Sequence, residues 1–192
     1  MRRLRPNSWS HWSATGLPVR RGFPESGVAV HSAFAHEGAA RDPIVRLKYD
    51  GLRWLAAPAA AMMLRGVAEL PRRGDLILPL PLAPSRLRQR GFNQSELIAA
   101  RVCRATGAKL SRALSRSDDR PPQVGLGAGA RRANALGAYR CGELASHSGK
   151  IWLLDDVVTT GSTMDAASAA VRLLTGFLPH AGLTVTYRPP ET

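Results

Sequence analysis

One stretch constrains the fold of this chain more than any other: Ile151-Trp152-Leu153-Leu154-Asp155-Asp156-Val157-Val158-Thr159-Thr160-Gly161-Ser162-Thr163. The apolar run at 151–154 reads as a strand buried on both faces, the pattern of a parallel sheet covered by helices. Two adjacent carboxylates follow, then a hydroxyl-rich turn, then a helix opening at Ser162 or Thr163 with Met164, Val171 and Leu174 on its core face. Open α/β sheets bind their ligands beyond the carboxyl ends of the strands, which is where Asp155 and Asp156 fall. Carboxylates accept hydrogen bonds from sugar hydroxyls. The turn at 159–163 presents backbone N–H groups at a helix start, where a phosphate is favoured, and Gly161 lets the backbone come close to it. Successive strand residues point to opposite faces, so one carboxylate is expected to face the ligand while the other props the loop. The plainer alternative is an N-capped helix after a buried strand with two exposed aspartates.

The rest of the chain alternates in the same way. Strands are expected at 28–34, 76–78, 109–114, 138–141 and 183–187. Helices are expected at 39–49, with Pro43 near its first turn and Gly51 at its end, and at 54–70, closed by Pro71. A further helix runs from the cap Asn93 to about Thr106, where Gly107 ends it, and a short one covers 130–136. Pro79, Pro81 and Pro84 stop any regular element after the 76–78 strand and stiffen its exit loop. Residues 115–129 read as a long polar loop. Residues 1–26, with Trp9 and Trp12 but no period, read as an irregular arm, and 27–192 as one domain. The fold class is α/β, with a mostly parallel central sheet flanked by helices.

Charge narrows the ligand. The chain of 192 residues carries a formal +13, and only Lys48, Lys109 and Lys150 of its 27 basic residues are lysines. Between Arg86 and Arg132 eleven basic residues face Glu96, Asp118 and Asp119, a local charge of +8. Such a field draws anions: phosphates, pyrophosphate or nucleic acid. A solvated basic face is the competing reading. Cys103 and Cys141 lack a CxxC neighbour, cannot form a cysteine-rich zinc site, and read as structural. No apolar run approaches membrane-spanning length, and no apolar core follows the basic start Met1-Arg2-Arg3-Leu4-Arg5, so a cytoplasmic location is expected. Gly125-Leu126-Gly127-Ala128-Gly129 lacks a preceding strand for a dinucleotide loop. His31 and His36 lack metal-binding partners in sequence, and at 6% aromatic residues no stacking platform for single strands is evident.

The stretch from Leu153 to Thr163 resembles the phosphoribosyl-pyrophosphate (PRPP) motif of type I phosphoribosyltransferases. Pro79-Leu80-Pro81 with Arg86-Leu87-Arg88-Gln89-Arg90-Gly91-Phe92-Asn93-Gln94 resembles the signature of the ComF family (competence protein F-like). So do Leu47-Lys48-Tyr49-Asp50-Gly51 and the spacing of Pro122, Gln123, Leu126, Arg131 and Asn134. The resemblance implies a type I phosphoribosyltransferase fold with a small hood, and a site for PRPP bound with Mg²⁺. It places Asp155 and Asp156, the implied catalytic pair, on the ribose hydroxyls. It places Thr159, Thr160, Gly161, Ser162 and Thr163 around the ribose 5-phosphate. Arg86, Arg88 and Arg90 become candidates for pyrophosphate, sharing one face if the segment is extended. Arg116, Arg120 and Gln123 become candidates for a closing lid. Many chains of that family begin with a cysteine-rich zinc module; residues 1–26 hold no cysteine, so that module is not expected here. Two functions follow from the resemblance: phosphoribosyl transfer to an unnamed acceptor, a glycosyltransferase activity of nucleoside metabolism, or nucleic-acid handling in natural competence and DNA uptake with PRPP as a ligand only. Single-stranded DNA and a second copy of the chain are the partners implied.

Overall fold

A computed structural model describes residues 19–22, 28–117, 138–144 and 146–188. The strands are β1 (Val19–Gly22), β2 (Ala29–Ala35), β3 (Leu76–Pro79), β4 (Lys109–Leu110), β5 (Leu114–Arg116), β6 (Tyr139–Cys141), β7 (Ile151–Val158) and β8 (Ala181–Tyr187). The helices are α1 (Gly38–Tyr49), α2 (Ala56–Gly66), α3 (Pro84–Arg90), α4 (Gln94–Thr106) and α5 (Ser162–Thr175), and a 3-10 turn, Arg53–Leu55, leads into α2.

Six strands form one sheet in the order β1-β2-β8-β7-β3-β4. Only the β1–β2 pair is antiparallel, so the other five strands run parallel, and the expected α/β class with a mostly parallel sheet is observed. The edge strand β1 lies inside the stretch read as an irregular arm. An antiparallel edge strand needs no sequence period of its own once β2 offers it an open row of backbone groups.

Helices cover both faces, as a parallel sheet requires. One core gathers Ile44 and Leu47 of α1, Met62 and Met63 of α2, and Ile98, Ala99 and Val102 of α4 over Ile77, Trp152, Leu154 and Leu183. The other sets Met164, Ala167, Ala170 and Val171 of α5 against Val30, Leu76, Leu78, Ile151 and Leu153. The alternation within Ile151-Trp152-Leu153-Leu154 therefore feeds both cores, and each fully buried Leu there contributes about 2 kcal/mol of burial. Leu114 and Tyr139 join the α5-side core from a separate two-stranded sheet, β5–β6. That sheet takes Ser115 and Arg116 out of the stretch read as a loop. The expected 109–114 strand is likewise divided between β4 and β5.

Two local features set how the helices sit. α2 ends at Gly66 rather than running on to residue 70, since Val67 is extended, and a Cβ on Gly66 would lie 2.6 Å from Cβ of Ala33. Only glycine lets the helix end approach β2 so closely. Asp75, at the amino end of β3, is buried and accepts from the backbone N–H of Arg72 (3.0 Å) and Lys150 (2.8 Å) and from Trp152 Nε1 (3.0 Å). It ties β3 to β7 below the sheet, its charge met by three N–H donors.

The strand order has a functional consequence. β3 leads through α4 to β4 on one side of it, whereas β7 leads through α5 to β8 on the other. The two helices lie on opposite faces, so the chain splits away from the β3–β7 seam and leaves a crevice above it. Open sheets hold their ligands at such a switch point.

Candidate functional site

Leu80 N–H donates to Leu154 O at 2.8 Å, the last rung joining the two strands. Beyond it β7 continues beside β8, with Asp155 opposite Thr184 and Val157 opposite Thr186. The two aspartates thus lie within the strand, which runs four residues further than the apolar run alone suggested, because β8 extends the pairing. The chain from β3 instead turns through Leu80 and Pro81 into α3.

Asp155 is half-buried and Asp156 is 2% exposed. Ser95 Oγ donates to Asp155 Oδ1 at 2.8 Å, and the Asp156 N–H donates to the same oxygen at 2.9 Å. Lys48 Nζ lies 2.6 Å from Asp156 Oδ2; the contact is ionic, since that oxygen accepts no well-aligned hydrogen bond. Ser95 stands on α4 and Lys48 on α1, helices of the same face, so both carboxylates meet partners from one side. The expected division of labour by strand alternation does not hold at the strand end, where side chains can bend over the sheet edge. Burial pushes the Asp155 carboxyl up to about 7, and the adjacent Asp156 carboxylate adds to this, while Lys48 and Ser95 oppose it. Among the described residues the arrangement is short of donors: two carboxylates share one ammonium, one hydroxyl and one amide.

His36, just past β2, completes the wall. Its Nδ1 lies 2.8 Å from Thr186 Oγ1. Burial and then the nearby Lys48 and Arg41 lower its pKa, against the pull of Asp156. His31 is buried in β2. Among the described residues no group of three or more His, Cys, Asp or Glu could hold a metal ion. A Mg²⁺ at this site would thus depend on oxygens of a phosphorylated ligand, the usual way this hard ion is held.

After Val158 the turn places Thr159 and Thr160 at the surface and Gly161 buried, with Ser162 and Thr163 half-buried. Gly161 has φ +85°, a conformation that favours glycine, and stands at the N-cap of α5. Thr160 Oγ1 lies 3.1 Å from Ser162 Oγ. The first intrahelical bond runs from Asp165 N–H to Gly161 O, and the Ser162 N–H before it donates to Thr160 Oγ1 at 3.4 Å, in place of an intrahelical partner.

The other bank is α3. Pro84 sits at its first turn and Gly91, at φ +74°, ends it. Proline therefore starts a helix here instead of excluding one. The arginine segment is helical rather than extended, which corrects the expectation of one shared face: at about 100° per residue Arg86 and Arg90 lie together and Arg88 points away. Arg86 and Arg88 are exposed. Arg90 Nη1 donates to Gln94 Oε1 at 2.6 Å and its guanidinium lies 5.8 Å from the Tyr49 ring centroid. Arg53 packs 4.7 Å over Phe92. Asn93 caps α4 through Ser95 N–H (3.0 Å), as expected, and its Nδ2 donates to Leu80 O (2.9 Å), pinning the exit of β3.

Of the lid candidates, Arg116 lies in β5, its guanidinium 5.7 Å from the Tyr139 ring centroid. Arg120 and Gln123 lie outside the described residues, as do the 130–136 helix and the glycines at 125–129. Burial raises both thiols, Cys103 to about 11, which suits structural cysteines. Sequence reasoning missed His36 and Ser95 as site residues. It carried Lys48 and Tyr49 only as letters of a resembling motif, because the helix that bears them is joined to the aspartate strand by packing and not by sequence.

No family model matches the chain. Competence protein F of Haemophilus influenzae (strain ATCC 51907 / DSM 11121 / KW20 / Rd) is 30% identical over 139 residues, covering 68% of this chain and 61% of that protein. DNA utilization protein YhgH of Escherichia coli O157:H7 is 34% identical over 127 residues, 63% of this chain and 56% of that one. Its namesake in Salmonella typhi is 34% identical over 125 residues, 62% and 55%. The chain therefore spans somewhat more than half the length of the curated relatives it matches, and it is similar to ComF-like proteins.

Proposed function

We propose that this chain is a ComF-like member of the type I phosphoribosyltransferases and binds PRPP with Mg²⁺ in the β3–β7 crevice. The observation that carries the reading is the placement of Asp155 and Asp156 at a sheet switch point, between a glycine-bearing helix start and an arginine-bearing helix. Each part suits one part of the ligand. The donor-poor carboxylates receive the ribose hydroxyls. The first turn of α5, with Thr159, Thr160, Ser162 and Thr163, receives the 5-phosphate. Arg86, and Arg90 once released from Gln94, face the pyrophosphate.

Transfer of the phosphoribosyl group would break the bond to pyrophosphate and leave positive charge on the ribose ring, as in glycoside cleavage. Mg²⁺ carried on the pyrophosphate would neutralise the leaving group. The chain's own residues hold the sugar by its hydroxyls and phosphate, keep an anion near the ring, and supply guanidinium groups for the departing charge. The test is thermal stabilisation by PRPP with Mg²⁺. A shift of several degrees is expected for the wild type and its near-loss in Asp156→Asn, whose affinity should fall at least about tenfold. No shift in the wild type, or an equal shift in the variant, removes the reading.

A second role has support of its own. The relatives carry names that speak of competence and of DNA utilization. Tyr49, 76% exposed, and Trp54, 53% exposed, stand beside Arg53 and Arg90 next to the crevice. Exposed rings among guanidinium groups suit the bases and phosphates of single-stranded nucleic acid. On this reading PRPP is a ligand and not a substrate. Pyrophosphate release with a suitable acceptor separates the two, since only the transferase produces it.

A further inference from the structure

We infer that Lys48 is a positioning residue that makes the two carboxylates unequal: it holds Asp156 as a standing anion in the crevice, and Asp155, held by a hydroxyl and an amide, is the one whose charge follows the ligand. This rests on the PRPP reading of the site and assigns separate parts to the two aspartates within it.

The geometry is one-sided. Lys48 Nζ contacts Oδ2 of Asp156 at 2.6 Å, with the lysine side chain 20% exposed and the aspartate side chain 3%. Asp155 makes its bonds to Ser95 Oγ and to the Asp156 amide. Lys48 stands in the last turn of α1, where the negative end of the helix favours an ammonium. Among the described residues His36, beyond β2, also interacts with Asp156, and Lys48, Arg41 and Arg188 act in turn on that imidazole. Lys48 and Arg41 disfavour the charged form of His36, so the imidazole is a poor counterion for the pair. The ammonium is thus the contacting charge that decides which carboxylate stays ionised.

The order of events follows. Asp156 offers its carboxylate to a ribose hydroxyl at once. Asp155, raised by burial and by its neighbour, gives its proton to water as a second hydroxyl takes up its lone pairs. Binding therefore releases a proton at the lower end of the neutral range. If Lys48 merely braces α1 against β7, its loss changes stability and leaves the proton balance alone.

Calorimetric titration with ribose 5-phosphate, and separately with PRPP and Mg²⁺, tests this from about pH 5.5 to about pH 8.5 on wild type, Lys48→Met and Lys48→Arg. The phosphates titrate in the same range, so the reading is the difference between proteins. Lys48→Met should move the midpoint of the affinity profile up by about one pH unit and weaken both ligands about tenfold at pH 7, with Lys48→Arg restoring most of it. An unchanged profile overturns the inference. So does a loss confined to PRPP, which would make Lys48 a pyrophosphate contact. Wild type that binds neither ligand sinks the PRPP reading instead. The Lys48 assignment is then decided by carbon NMR of the aspartate carboxyls in the free wild type. The Asp155 carboxyl should titrate well above the ordinary carboxylate range, and a value within that range overturns it, whether or not Lys48→Met folds.

Discussion

Asp75 and the Asp155–Asp156 pair sit at opposite ends of the same two strands, and they are provisioned in opposite ways. Asp75 is one carboxylate with three N–H donors, two of them backbone groups held in place by the turns that enter β3 and β7. At the other end two carboxylates divide one ammonium, one hydroxyl and one amide. The lower end is complete without any ligand. The upper end keeps acceptor capacity that folding does not use, which is what a site for a hydroxyl-rich ligand requires.

The contrast can be broken by stability measurements. Asp75→Ala should cost the most, about 3–5 kcal/mol in denaturant unfolding, because it strands Trp152 Nε1 and two backbone N–H groups in the interior. A loss below about 1 kcal/mol would mean that the lower end is not the brace described. Asp155→Asn should act with the opposite sign. The folded carboxyl titrates near 7 against an ordinary value of 3.8, so folding binds the proton more tightly. Its favourable contribution is full below about pH 4 and is lost as pH rises toward 7. Asp155→Asn should therefore flatten the decline of stability between those pH values, and equal slopes in both proteins would contradict the donor-poor description. The smallest effect belongs to Glu69, at the lower end, which Lys150 (2.7 Å) and His180 (3.1 Å) hold. They lower its carboxyl to about 2 from 4.5, so its contribution is present above about pH 4.5 and is lost as pH falls toward 2. The group is more than a third exposed, so solvent screening limits Glu69→Gln to at most about 1 kcal/mol near pH 6, fading in acid. The two ends of one strand pair should thus respond to acid in opposite senses.

What could be read beforehand follows the same division. The apolar run at 151–154, the cap at Asn93 and the glycine stops at Gly107 and Gly176 are local signals, and each element they imply is present. The carboxylate pair was legible because its place depends on a single strand end. Helix α3 was hidden by proline, which interrupts a helix from within but starts one at its first turn, and no apolar period betrays so short an element. The bend of Asp155 toward α4, beside the contact of Asp156 with Lys48 of α1, was not legible either. It depends on where two helices distant in sequence come to rest, and strand alternation says nothing of side chains at a sheet edge. β1 was missed because its partner, and not its own composition, makes it a strand.

The split of the chain at the β3–β7 seam has an evolutionary side. Paired residues such as Pro79 and Leu154 stand 75 positions apart in sequence, and each strand hands on to its own loop and helix. On the proposed PRPP reading, the bank for sugar and phosphate and the bank for the leaving group therefore lie on separate segments of the chain. A lineage can let its arginine bank drift, and with it the power to expel pyrophosphate, while keeping a working ribose cradle. On the same reading, a binder of this nucleotide precursor would differ from a transferase chiefly in its arginine bank.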